Sequence, residues 1–277
     1  MVDQPTPRAP RPAVGLSGRE LFVNLALLLV SAILVQMVYA TVIRPRAEAI
    51  IAQVSASEET GERANLRSIY VILHEYEPET VVILTLWALV IIGRRGVDVA
   101  RNRKLLEKSY IGVDESHVVL PEDTRAHGRP LERLPPEEQE MLLPRILSVA
   151  LNRFGATRSV QDTAESINDE CEFESSRLDA QLSMVKFTAW AIPAIGFVGT
   201  VRGIGRALQE AQGALHGDIS GVTMGLGIAF NSTLVALILS ILVMFCLHQL
   251  QQVQDRLILD TRNYANRRLL RHMRVLG

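Results

Sequence analysis

The chain has 277 residues, 48% of them hydrophobic and 5% aromatic, and a formal net charge of -1, an unremarkable average that conceals a strongly segregated pattern. Apolar residues are gathered into four blocks and most charges lie between them, which excludes a soluble globular core as the main sink of apolar surface and points to a bilayer. The composition therefore predicts an all-α polytopic membrane protein with four transmembrane helices.

Residues 1–18, rich in Pro, Arg and polar side chains, read as a disordered cytoplasmic leader. The first transmembrane helix is placed at 19–43, where Leu21 to Ile43 has only Asn24 and Gln36 as strongly polar members. That is enough helix to cross about 30 Å of hydrocarbon. A signal peptide is the rival reading, because Arg8, Arg11 and Arg19 precede the block. The apolar run is too long for such a segment, and no convincing cleavage site follows it.

Residues 44–79 form a periplasmic loop in this reading, with a break expected near Gly61. The second transmembrane helix, 80–95, has its apolar part at about Thr80 to Gly93, short for a full crossing, so it must recruit flanking residues. Residues 96–186 read as a cytoplasmic helical domain. Within it, Pro135-Pro136-Glu137-Glu138 marks a helix start, with Pro and acids in the first turn. Residues 162–186 contain neither Pro nor Gly and lead into the third membrane helix, which predicts one long helix there. The third and fourth spans fall within 187–247, and a helical tail, 248–277, carries Leu250, Val253, Leu257, Thr261 and Tyr264 at helical spacing.

Lys and Arg near span ends are retained on the cytoplasmic side, which orients the chain. Arg94, Arg95, Arg101, Arg103, Lys104 and Lys108 follow the second span, and six arginines from Arg256 to Arg274 fill the tail. Both segments, and the N-terminus with them, are expected inside a bacterial inner membrane. Basic runs at span ends are signals of topology and lipid headgroups, so no nucleic-acid partner is expected. Cys171 and Cys246 form no structural disulfide in this layout.

On the third span Pro193, Gly196, Thr200, Gly203 and Ala207 share one face, and on the fourth Gly225, Ala229, Ser232 or Thr233, Ala236 and Ser240 do the same. Small residues let membrane helices pack closely, and Gly199-x-x-x-Gly203 fits that rule. The first two spans lack such a stripe, which predicts two peripheral helices around an inner pair. Arg202 is the one charge near the hydrocarbon, and holding it at a helix centre would cost about 2.5 to 3.5 kcal/mol. Snorkelling to the nearer surface is one reading of it and ion gating the other.

The segment from Pro193 to Ile204, PAIGFVGTVRGI, resembles without a gap the P-x-x-G-x-x-G-T-V-x-G-I signature of the MotA/TolQ/ExbB proton-channel family, and Gly225 to Thr233 is similar to its G-x-x-x-A-L-x-x-T pattern. The resemblance implies an A-type stator subunit in a four-span variant. Thr200 and Thr233, with Ser232 and Asn231 beside them, then belong to the ion pathway. Pro193, Gly196, Gly199, Gly203, Gly225, Ala229 and Ala236 serve helix packing or face a partner. It further implies a homo-oligomer, typically a pentamer, around a dimer of a single-span MotB/TolR/ExbD-like subunit carrying a membrane aspartate. The translocated ion is H+, with Na+ as the alternative. No Asp or Glu lies in the apolar blocks of the four spans, Leu21 to Ile43, Thr80 to Gly93, Phe187 to Ile204 and Gly221 to Leu247, hence a partner must bring the carboxylate. Ile228 stands where TolQ and ExbB usually carry a glutamate.

A non-conducting oligomeric scaffold is the competing class. The six histidines have no metal-ligand spacing, no nucleophile and base are paired, and the glycines near Gly196 lack the Gly-Lys-Ser/Thr of a phosphate loop. Neither an enzyme, a metal site nor a cofactor is expected.

Overall fold

A computed structural model describes residues 18–50, 69–107, 110, 118–214 and 219–274. The expected disordered leader up to residue 17 and the expected break at Gly61 lie outside them. Among the described residues the fold is nearly all helical, relieved by a single parallel bridge between Val119 and Met273. Among the described residues, four helices are long and apolar enough to cross a membrane.

The first, α1 (Gly18–Val38), passes into a π-helical turn, Tyr39–Ile43, that buries Tyr39 and Ile43. Leu25, Leu29, Ile33 and Met37 stay exposed, and α1 packs chiefly on the helix Tyr76–Leu106. After the short α2 (Ile69–Leu73), α3 spans Tyr76–Leu106, 31 residues rather than the short segment expected from Thr80. Its first turn holds Glu77, Pro78 and Glu79. The helix accepts them because N–H groups of a first turn have no intrahelical partner to lose and its positive end favours acids. Spans 1 and 2 are consequently unlike: α3 packs on both of the last two long helices and belongs to the inner bundle, whereas α1 is peripheral.

Then come α4 (Thr124–Glu132), α5 (Pro136–Gln139), α6 (Leu142–Thr157) and α7 (Val160–Gln181). Between α6 and α7, Arg158 adopts φ 54° and ends the first helix. Ser159 starts the next, its Oγ accepting from the Asp162 N–H at 3.2 Å. Leu182 interrupts the regular hydrogen bonding before α8 (Ser183–Gln209), so the expected long helix is two nearly continuous ones. The short α9 (Ala211–Ala214) precedes α10 (Ser220–Arg268), a 49-residue helix about 73 Å long. That is more than twice the hydrocarbon thickness, so α10 crosses and continues well beyond.

This continuation, with α4, α6 and α7, forms a helical extension. Its core gathers Leu143, Ile146, Leu147, Leu151 and Phe154 of α6, Ile167 of α7, and Leu250, Leu257 and Ala265 of α10. The α10 register differs slightly from the sequence expectation: Gln254 is buried, and Val253 is 39% exposed. Arg145 bridges α6 to α7 through Glu170 at 3.1 Å and Glu174 at 2.7 Å.

Candidate functional site

Helices α8 and α10 run antiparallel along a seam made almost entirely of Gly, Ala and Ser. Going along α8, Gly196 faces Ala236, Gly199 faces Ser232, Gly203 faces Ala229, and Ala207 faces Gly225. A Cβ on Gly203 would stand 2.7 Å from the Ala229 backbone N, and one on Gly225 would stand 2.7 Å from that of Ala207. Backbone cannot yield as a flexible side chain does, so these two positions require glycine. The small stripes of the two spans are thus spent on one another within the chain.

Pro193 lies inside α8. It has no N–H to return to the carbonyl four residues earlier, that of Ala189. The Ser240 hydroxyl of α10 donates to the Ala189 carbonyl instead, at 3.0 Å. The proline and the serine therefore act as a pair across the seam, satisfying a backbone group that hydrocarbon could not.

Two turns further, Thr200 and Thr233 meet through a short contact between their hydroxyls. Thr233 Oγ1 donates to the Gly196 carbonyl at 2.9 Å, and Thr200 Oγ1 lies 3.2 Å from the Ala229 carbonyl. Each hydroxyl has one proton and can also accept. Thr233 can donate to Gly196 while Thr200 donates to Thr233 or to Ala229. The pair is half-buried, and its large neighbours Phe197, Val201, Phe230, Leu234 and Leu237 are exposed. It forms a polar spot on an apolar surface.

Ser232 is not part of that spot. Successive helical residues point about 100° apart, and Ser232, 1% exposed, is turned to Gly199 and toward α3. Asn231 is half-buried.

Arg202 does not snorkel free. Its Nη2 holds Glu75 in a short ion pair and its Nε stands 3.0 Å from Glu77 Oε1. Arg206 reaches Glu75 at 3.1 Å, and Arg44, beyond the π-helical turn, reaches Glu79 at 2.9 Å. The cluster joins three parts of the chain at one end of the bundle. Glu77 and Glu79 are 8% and 4% exposed, and Glu77 Oε2 and Glu79 Oε1 have no hydrogen-bond partner. The helix of the second span thus starts at Tyr76, ahead of the apolar run from Thr80, and its first turn carries two carboxylates that the apolar run lacks. The signals available in the sequence were Pro78 flanked by acids, a helix-start pattern, and the four-residue spacing of Arg202 and Arg206.

Residues 138–263 match the family model described as the MotA/TolQ/ExbB proton channel family. No curated protein and no solved structure matches the chain.

Proposed function

We propose that this chain, a member of the MotA/TolQ/ExbB proton channel family over residues 138–263 and a multi-pass membrane protein, is the ion-channel subunit of an inner-membrane stator that turns ion-motive force into rotation or other mechanical work. The observation carrying this reading is the hydroxyl pair Thr200–Thr233, set into an otherwise apolar exposed surface. Polar groups at such a place are expensive in hydrocarbon and mark ion paths. Two hydroxyls bonded to each other and to carbonyls can re-donate to a passing water chain or to a carboxylate on a facing helix. The pathway rests on Thr200 and Thr233, with Asn231 at its edge, while Ser232 serves the seam and the side facing α3.

The assembly that completes it is a homopentameric ring around a dimer of a single-span subunit with an aspartate in its helix. The exposed apolar residues of α8 and α10 then meet neighbouring copies, the partner or lipid. Protons are the translocated ion, with sodium as the alternative, and the chain performs no enzymatic reaction. Arginines at the far end of α3 and along the continuation of α10 support a cytoplasmic side for the helical extension and both termini, by the positive-inside rule.

A non-conducting scaffold draws on one observation, that the Gly/Ala/Ser seam is explained by packing alone. Reconstitution with the partner separates the two. Thr200→Val and Thr233→Val keep side-chain volume and remove the hydroxyls, so ion-driven work should disappear while assembly persists. Undiminished output in both variants would leave the scaffold reading standing.

A further inference from the structure

The hydroxyl pair lies on one side of the α8–α10 seam, and a second polar site lies on the side facing α3. A Cβ on Gly199 would stand 2.7 Å from Ser232 Cβ, 3.1 Å from Ser232 Oγ and 3.3 Å from Glu77 Cγ. The absent side chain at Gly199 thus leaves room for Glu77 Cγ beside the seam, one residue from Thr200, while the carboxylate lies beside Arg202. Glu77 is 8% exposed, with one oxygen beside Arg202 and the other, Oε2, buried without a hydrogen-bond partner. Arg202 Nε likewise lacks a well-directed hydrogen bond although it stands 3.0 Å from that carboxylate.

A buried carboxylate oxygen left open is costly, and a bound proton is the smallest ligand that removes the cost. Among the described residues no group of three His, Cys, Asp or Glu converges as metal ligands would, Glu75, Glu77 and Glu79 included. We propose that Glu77 is a proton-binding carboxylate of this chain, charge-balanced by Arg202, where α3 packs against α8 and α10.

Proton uptake at Oε2 forms an O–H bond and neutralises Glu77. Arg202 then keeps its other partner, Glu75, and loses its hold on Glu77. Loss of the proton restores the ion pair. The charged and titratable groups around this site are Arg202 and Arg206 from α8, Glu75 and Glu79 at the start of α3, and Arg44 with Tyr39 from the segment after α1. From α10 the neighbour is the uncharged Ser232. The inference deepens the channel reading, in which Glu77 would load protons beside the pathway, and its purpose rests on that reading.

The test requires no flux, so it can fail independently of the channel. The full chain in lipid vesicles is treated with dicyclohexylcarbodiimide, which modifies protonated carboxyl groups in apolar surroundings, and the modified residue is located by mass spectrometry. Wild-type protein should be labelled at Glu77, more at low pH than at high. Arg202→Gln removes the cation that opposes protonation, so labelling at a fixed pH should rise by about tenfold or more. Infrared spectra of the same vesicles should show a carbonyl band of a protonated acid that Glu77→Gln abolishes and Glu79→Gln retains. A recovered but unmodified Glu77 peptide at every pH would overturn the proposal. So would labelling confined to Glu75 or Glu79, or labelling of Glu77 indifferent to Arg202→Gln in a variant that keeps its assembled size. Because wild-type labelling stands alone, a variant that fails to fold does not remove the test.

Discussion

The two halves of α10 are built inside out with respect to one another. In the membrane half, Gly225, Ala229, Ser232, Ala236 and Ser240 face inward while Phe230, Leu234, Ile238, Ile241 and Phe245 face outward. In the extension, Leu250, Leu257 and Ala265 face inward, and Arg256, Asp260 and Arg267 lie on other faces. One continuous helix follows two rules because its surroundings change along it. Water drives large apolar side chains into contact. Lipid does not, so contact there is won by close backbone approach and by hydroxyls that satisfy carbonyls.

If that contrast is right, removing bulk should hurt most in the extension. Phe154 of α6 is wholly buried, so Phe154→Ala should cost about 3 to 5 kcal/mol in denaturant or thermal unfolding of the full chain. Losses below about 1 kcal/mol would show that the extension is not packed as a water-driven core.

Adding bulk should hurt most on the membrane seam. Gly203→Ala places its methyl against the Ala229 backbone and should cost about 1 to 3 kcal/mol. Gly205→Ala, two residues on, meets nothing within 4 Å and should be neutral or stabilise by up to about 1 kcal/mol through helix propensity. Equal effects of the two substitutions on thermal stability in detergent would refute the register described for the seam.

Hydroxyl satisfaction in the membrane half should be detectable but small. Ser240→Ala leaves the Ala189 carbonyl, already deprived of a donor by Pro193, without its partner, at a cost of about 0.6 kcal/mol and at most about 1.7 kcal/mol. The same substitution combined with Pro193→Ala should recover most of it, since the alanine N–H returns to the carbonyl. Failure of that rescue would separate the two residues.

The smallest effect concerns reactivity rather than stability. Cys171 of α7 is buried, and burial pushes its thiol above the ordinary range, opposed by Arg262 and Arg145 and assisted by Glu170 and Glu174. Thiolate is the reactive form, so maleimide labelling in the folded chain should be slow at neutral pH and rise only in more alkaline buffer. Rapid neutral labelling would place Cys171 at a surface.

Much of the bundle was readable from local pattern. The four apolar blocks, the helical continuation of the last span and the small faces of α8 and α10 follow from hydropathy and helical period, which are properties of consecutive residues. Two features were not legible for one reason: the apolar run of the second span begins at Thr80, so hydropathy does not show that its helix starts at Tyr76 and brings Glu77 to Arg202 and Glu79 to Arg44. Hydropathy counts charge as foreign to a span, but acids in a first helical turn, paired with arginines from elsewhere, are stable there. Val253 and Gln254 exchanged places for a related reason, because a helical stripe has width and the pattern alone does not say which edge is covered.

By itself the sequence determined that the described residues are nearly all helical with four helices apolar enough to span, and which faces of the last two are narrow, since bilayer thickness and the 3.6-residue period act on sequence directly. Only the tertiary structure decided what those faces meet. It turned the glycine stripes toward each other, set Thr200 on Thr233, gave the Ala189 carbonyl to Ser240, and brought Glu75 and Glu77 to Arg202 across more than 120 residues of chain. Such pairings depend on register and crossing between helices distant in sequence, and no local period carries that information.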